Sequence, residues 1–151
     1  PLPHLSEEAI KRFGPLLKRL ATNNQNTASG TLYELRVAAQ YRRAQGFDVE
    51  LVEKWIGVYL PSIGRTKTDI DIVMRHPDTG QTIFVQTKTA GSNLSVSEAR
   101  LWIDKVTQYK MDINDTTAII RYCVPDPATV PQSVQDLFAQ MGVELVGVVV
   151  N

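Results

Sequence analysis

The residues best suited to chemistry lie between Thr66 and Ala90, in the run TKTDIDIVMRHPDTGQTIFVQTKTA. Asp69 and Asp71 sit two apart in an alternating polar/apolar stretch, and Gln86 and Lys88 sit two apart in a second one. Alternation of this kind is the signature of a strand, and residues two apart on a strand share a face. Between the two runs, His76-Pro77-Asp78-Thr79-Gly80 has turn chemistry: Pro presets φ and Gly supplies φ > 0. The reading is a β-hairpin. If the two polar faces coincide, carboxylates, an amide oxygen and an ammonium converge at the strand ends. That set can hold a divalent cation against a phosphodiester.

One more acid belongs with them. A helix is expected from about Thr31 to Gln45, stopped by Gly46. At about 100° per residue, Arg36, Gln40 and Arg43 fall on one solvated face. Glu34 instead falls between Ala38 and Tyr41, inside the apolar arc. A carboxylate there needs a cation, a metal or hydrogen-bond donors. A Glu at the edge of the arc, reaching water or an Arg, is the plain alternative.

The elements that must position these groups follow in the order helix, loop, helix, strands, helix, strand, helix, strand. Ser6-Glu7-Glu8 opens a first helix reaching about Leu20, and Ala21 to Gly30 reads as a polar linker. Phe47 to Glu53 alternates as a strand, which Lys54 to Leu60 extends or pairs with. Ser95-x-x-Glu98 matches a capping box for a helix to about Met111, with Leu101, Trp102 and Val106 as its core stripe. Thr117 to Val124 is a buried-type strand. A short helix to Met141, stopped by Gly142, leads to a last strand from Val143 to Val150. The expected architecture is α/β in three layers, helices around a mixed central sheet. Residues 1–30 form a leading helix and linker, and residues 31–151 the domain proper.

Composition narrows the function classes. The 151 residues are 43% hydrophobic and 21% charged, the profile of one globular domain. Sixteen basic residues balance sixteen acidic ones, so any grip on nucleic acid must be local. A single cysteine, Cys123, excludes an internal disulfide and a Cys-rich zinc site, and its apolar run marks it as a buried structural thiol. No apolar run has the length of a membrane span, and no secretory signal pattern opens the chain. The first residue is Pro rather than Met, consistent with a processed chain or a segment of a longer one. His4 and His76 lack metal-ligand spacing and read as surface residues.

A Glu on a helix, then Gly46-Phe47 and a strand, then the Asp71 strand, then Gln86-x-Lys88, resembles the PD-(D/E)XK nuclease superfamily. The core of that restriction endonuclease-like fold is a helix, a three-stranded meander, a helix and a further strand, matching this chain from about Thr31 to Val124. Gln-x-Lys in place of Glu-x-Lys is similar to Mrr-type restriction endonucleases, and the Glu-bearing helix resembles that of archaeal Holliday-junction resolvases. The proline usual before the Asp in the founding enzymes is replaced here by Ile70. The resemblance implies a metal-dependent endonuclease cutting RNA (tRNA among its targets) or DNA.

The chemistry of such a site can be assigned by residue type. Hydrolysis of a phosphodiester calls for charge neutralisation and a hydroxide near pH 7, which Mg²⁺, with Mn²⁺ or Zn²⁺ as alternatives, can supply. Asp71 is the expected principal ligand, joined by Glu34, by Gln86 through its neutral carbonyl oxygen, and by Asp69 in reserve. Lys88 would orient water and balance developing charge. Arg65 and Lys67, in a loop leading to Asp69, together with Thr87, Lys105 and Tyr109, are the expected substrate contacts. Folding is expected to gather Lys88 with some of Arg65, Lys67, Arg100, Lys105 and Lys110, and to leave Asp104, Asp112 and Asp136 elsewhere. The plain alternative is a surface hairpin with solvated acids. Size and neutral charge further resemble the C-terminal nuclease domains of bacterial polymorphic and contact-dependent growth inhibition toxins. That resemblance implies a secreted or cell-surface effector acting in the target-cell cytoplasm, blocked by a cognate immunity protein. A restriction or repair DNase, and a non-cleaving nucleic-acid or protein-interaction module, are the rival readings.

Overall fold

The computed structural model describes residues 25–149. The expected first helix, His4, the first four residues of the linker and the end of the last strand lie outside these residues. Eight principal elements run in the order α1 (Gln25–Gln45), β1 (Asp48–Leu60), β2 (Gly64–Arg75), β3 (Thr82–Thr87), α2 (Val96–Asp112), β4 (Ile119–Val124), α3 (Gln132–Met141) and β5 (Glu144–Gly147). The strands form one mixed sheet in the order β1-β2-β3-β4-β5. The first three are an antiparallel meander, and β4 and β5 run parallel to β3.

Two apolar clusters give the three layers. On one face Tyr33, Val37 and Tyr41 of α1 pack on Val49, Val52, Ile72, Met74, Ile83, Val85 and Cys123. On the other, Trp102, Ile103 and Val106 of α2 and Val134, Leu137 and Phe138 of α3 cover Val73, Phe84, Ile120 and Tyr122. The alternation in β3 explains the division: Ile83 and Val85 face α1, while Phe84 faces α2. Local signals mark several boundaries as expected. Ser95 Oγ accepts the Glu98 N–H at 3.2 Å to start α2. Gly142, at φ 69°, stops α3 in the left-handed region. The hairpin turn closes with His76 N–H to Gln81 O at 2.9 Å, and Gly80 takes φ 73°.

Four expectations are corrected. The helix begins at Gln25, so the last part of the expected linker is helical, although Asn26, Ser29 and Gly30 are weak helix formers; downstream, Thr31, Tyr33 and Val37 anchor it by burial. Residues 48–60 form one strand, so of the two alternatives Lys54 to Leu60 extends the preceding strand. Arg65 and Lys67 lie within β2, not in a loop, because the alternation already starts at Gly64. Leu101 is exposed: α2 buries Ala99, Trp102, Ile103 and Val106, and Leu101 lies on the other side of that stripe. The last strand is also shorter than expected, Glu144–Gly147.

Candidate active site at a fork in the sheet

The meander splits. Backbone pairing between β2 and β3 runs from Arg75–Thr82 to Ile72–Val85, whereas β1 and β2 stay paired out to Leu60–Gly64. Beyond Ile72 the β1–β2 hairpin therefore leaves the sheet as a unit. The next residues out on the two diverging strands are Asp71 and Gln86.

Peeling a strand away exposes N–H and C=O groups that must find other partners. Side chains provide them. Asp71 Oδ2 accepts both the backbone N–H and the Oγ1 hydroxyl of Thr87, each at 2.9 Å. On the departing strand, Trp102 Nε1 donates to Asp69 O at 2.9 Å and Lys105 Nζ donates to Lys67 O at 2.9 Å. Both donors lie on α2, which fills the space beside the hairpin. Glu53, opposite the divergence on β1, has a left-handed φ of 52°, and a register shift between Val49 and Leu51 adds to the bend.

The fork brings Asp71, Gln86, Thr87 and Lys88 to one end of the sheet. Gln86 points away from α1, since Val85 before it faces α1, and its Oε1 is buried with no hydrogen-bond partner. Lys88, on the same side, follows the end of β3; its N–H is fixed by Cys123 O at 3.0 Å, and its half-buried ammonium has no ion-pair partner among the described residues. Tyr122 of β4 borders this face. Its phenol is pushed upward, first by burial and then by the negative charges of Asp71 and Glu98. Tyr122 thus stays protonated, packed edge-on to Trp102 at 5.1 Å and stacked on Phe138 at 4.8 Å.

Glu34 approaches the same end of the sheet from the α1 face. It is 4% exposed. The neighbouring Tyr33 donates its hydroxyl to Val148 O at 2.9 Å, and Val148 N–H in turn bonds Val124 O at the carboxyl end of β4. Because β3 runs parallel to β4, Thr87 pairing with Cys123, this is also the carboxyl end of β3. Ligand sites in open α/β sheets lie at that end.

The remaining expected residues are placed as follows. Asp69 is half-buried on β2, with its carbonyl held by Trp102. Thr87 directs its hydroxyl to Asp71, and Tyr109 packs edge-on against Phe84 at 5.8 Å. Arg65 and Lys67 line an open cleft of about 570 Å³ with Gly57, Val58, Tyr59, Thr66 and Asp112; it lies further out along the hairpin than Asp71. Asp112, expected elsewhere, is thus beside these cations, because α2 runs along the hairpin to its own last residue. His76 serves the turn: its Nδ1 accepts Asp78 N–H at 3.2 Å, and its ring meets Phe47 at 5.1 Å. Tyr122 and Glu98 were missed in the sequence, one reading as core and the other as a cap residue. What distinguishes them is that Tyr122 feels the negative charges of both Asp71 and Glu98.

The donor set at the fork is oxygen throughout, the chemistry that suits Mg²⁺ or Mn²⁺. The buried Gln86 Oε1 fits such an ion, because a buried carbonyl oxygen without a donor is costly unless something electropositive meets it. Among the described residues no group of three or more His, Cys, Asp or Glu side chains is arranged to hold an ion.

No family model matches the chain, and no curated protein matches it. Among solved structures, protein VC1899 from Vibrio cholerae is similar, with a TM-score of 0.53 and 12% identity over 82% of this chain. The match spans 30% of that protein, so the likeness is to a part of a longer chain and concerns the fold alone. No helix among the described residues is long and apolar enough to cross a membrane.

Proposed function

We propose that this chain is a metal-dependent nuclease of the PD-(D/E)XK kind, with its centre at the sheet fork. The observation that carries the reading is the meeting of Asp71, the unsatisfied buried Gln86 Oε1 and Lys88 where β2 and β3 part. The element order supports it as well: helix, three-stranded meander, helix, strand.

Asp71, Gln86 and Glu34 would hold the ion, and Thr87 fixes the orientation of Asp71 through two hydrogen bonds. When bound, a divalent cation supplies charge neutralisation at the phosphate and a more acidic water. Lys88 orients the attacking water and offsets negative charge as it builds on the phosphoryl oxygens. Tyr122, kept protonated, can donate to an oxygen at the fork. Gln86 gives the centre one negative charge fewer than a Glu would, which lowers affinity for the cation.

The biological setting we favour is a toxin domain acting in a target-cell cytoplasm and neutralised by an immunity protein, with a restriction or repair DNase as the alternative. A second reading, a non-cleaving nucleic-acid module, is favoured by Gln86 in an acid's place. One experiment separates them. Purified protein is incubated with plasmid DNA and with total RNA, in Mg²⁺, Mn²⁺, Zn²⁺ or EDTA. Metal-dependent cleavage of either polymer, absent in Asp71→Ala, is expected. Intact substrates under every metal would leave only the binding module.

A further inference from the structure

Past the fork, one face of the β1–β2 hairpin carries two large exposed aromatics. The register sets Trp55 opposite Asp69, Gly57 opposite Lys67 and Tyr59 opposite Arg65. Opposed residues, and residues two apart on a strand, share a face. Here Trp55 is 55% and Tyr59 62% exposed, while Ile56, Val58 and Leu60 on the reverse are buried. Rings of this size are normally covered, and two on one face mark a contact surface.

Between the rings is Gly57. Its φ is not positive, and a Cβ built there meets nothing nearer than Thr66 O at 4.0 Å. Neither backbone strain nor crowding demands glycine. Its consequence is a gap between Trp55 and Tyr59, beside Lys67, where a ligand can approach the strand closely. Arg65 and Lys67 are exposed and make no side-chain ion pair among the described residues. The one acid in the cleft, Asp112, accepts Gln108 Nε2 at 2.8 Å.

We propose that this face is a stacking platform for unpaired nucleobases of a single-stranded nucleic acid. Trp55 and Tyr59 stack bases on either side of the Gly57 gap, while Arg65 and Lys67 meet phosphates. Cations interleaved with exposed rings complement a polyanion whose base faces are open; a duplex hides those faces. The platform is continuous with the fork. Arg65, Lys67, Asp69 and Asp71 follow one another at alternate positions of β2, so Lys67 lies roughly 13 Å along the strand from Asp71. The proposal rests on the nuclease reading for its choice of polymer and deepens it by naming unpaired substrate.

The test is binding in EDTA, where no metal-dependent cleavage occurs. Labelled single-stranded DNA, single-stranded RNA and the annealed duplex of one sequence are titrated, reading anisotropy and tryptophan fluorescence. Trp55 is the exposed one of the two tryptophans, Trp102 being 6% exposed, so saturable quenching reports stacking on the platform. Single strands are expected to bind at least about tenfold tighter than duplex, and Trp55→Ala or Tyr59→Ala to weaken them about tenfold. Gly57→Leu, whose Cβ has open space with Thr66 O at 4.0 Å, fills the gap and should remove the quenching. Equal affinity for duplex, or wild-type binding by these variants, overturns the proposal. So does a concentration-dependent dimer, seen by sedimentation, that the Trp55→Ala/Tyr59→Ala protein no longer forms: the face would then belong to a second copy. Cleavage is scored separately with divalent metal. Quenching without cleavage keeps the platform and removes the nuclease, whereas cleavage of single strands undiminished in the ring variants does the reverse.

Discussion

Asp71 is held by a bond that backbone would ordinarily make. Its Oδ2 takes the Thr87 N–H left over where β2 departs, and the Thr87 hydroxyl adds a second donor to the same oxygen. A carboxylate fixed this way loses little entropy when it meets a ligand, which is what a positioned metal-binding or acid/base group requires. Asp71→Ala and Lys88→Ala should therefore each lower cleavage by at least about a hundredfold. Circular dichroism should show both variants folded, and wild-type turnover by either would remove it from the centre. Glu34 makes a sharper case, since it is buried on α1 while Arg36, Gln40 and Arg43 of the same helix are exposed. Glu34→Gln keeps the shape and removes the charge. If Glu34 serves the ion, the metal concentration for half-maximal activity rises while the urea midpoint barely moves. If it only completes the helix face, metal titrations of the two proteins superimpose.

The fork exists because α2 takes over the contacts that β3 gives up. Trp102 and Lys105, three residues apart and so on neighbouring positions of the helix surface, reach the carbonyls of Asp69 and Lys67, two apart on β2. Trp102→Phe preserves most of the ring packing against Tyr122 and leaves the Asp69 carbonyl without that donor. It should cost about 1 kcal/mol in urea unfolding. Loss of cleavage beyond the loss of folded protein would show that the hairpin's angle matters to the centre. An unchanged urea midpoint would mean that water replaces the indole. The contrast between legible and hidden features has its cause here. Alternation at Asp69–Met74 and Thr82–Gln86, the Ser95 cap and the Gly142 stop are local, so sequence alone placed those elements. Parting of β2 from β3 is decided by side chains of α2 some thirty residues on, and nothing periodic in Thr66–Asp71 announces it. For the same reason Arg65 and Lys67 read as loop cations, and Tyr122 as core. Helical residues 25–30 were hidden by their own weak propensity.

Across the whole molecule the titrating groups and the charges act over longer distances. Cys123 lies under α1, where burial pushes its thiol up to about 11 from 9.0, Tyr41 and Arg121 opposing the shift. Burial likewise raises the phenols of Tyr33, Tyr41 and Tyr122. In each case the folded state keeps a proton that the unfolded chain releases at lower pH. The stability these groups contribute is thus complete below about pH 9 and falls as pH rises toward 11 and beyond. Denaturant titrations at pH 8 and pH 10 should show a lower midpoint at the higher pH, and a thiol reagent should label Cys123 only as the chain unfolds. Equal midpoints would mean that these groups titrate alike in both states. Net charge is zero, sixteen against sixteen, so attraction to a polyanion cannot come from the average field. It must come from an arrangement in which Arg65 and Lys67 stand on the outer hairpin and Lys88 at the fork, while Glu50 and Glu144 are occupied by Arg75 and Arg121. Each phosphate met by such a cation releases condensed counterions, so affinity measured in EDTA should fall steeply and log-linearly with salt. Lys67→Gln should weaken every sequence alike and flatten the slope by about one phosphate's worth. Affinity indifferent to salt, or a slope that Lys67→Gln leaves unchanged, would place the contact surface away from the hairpin.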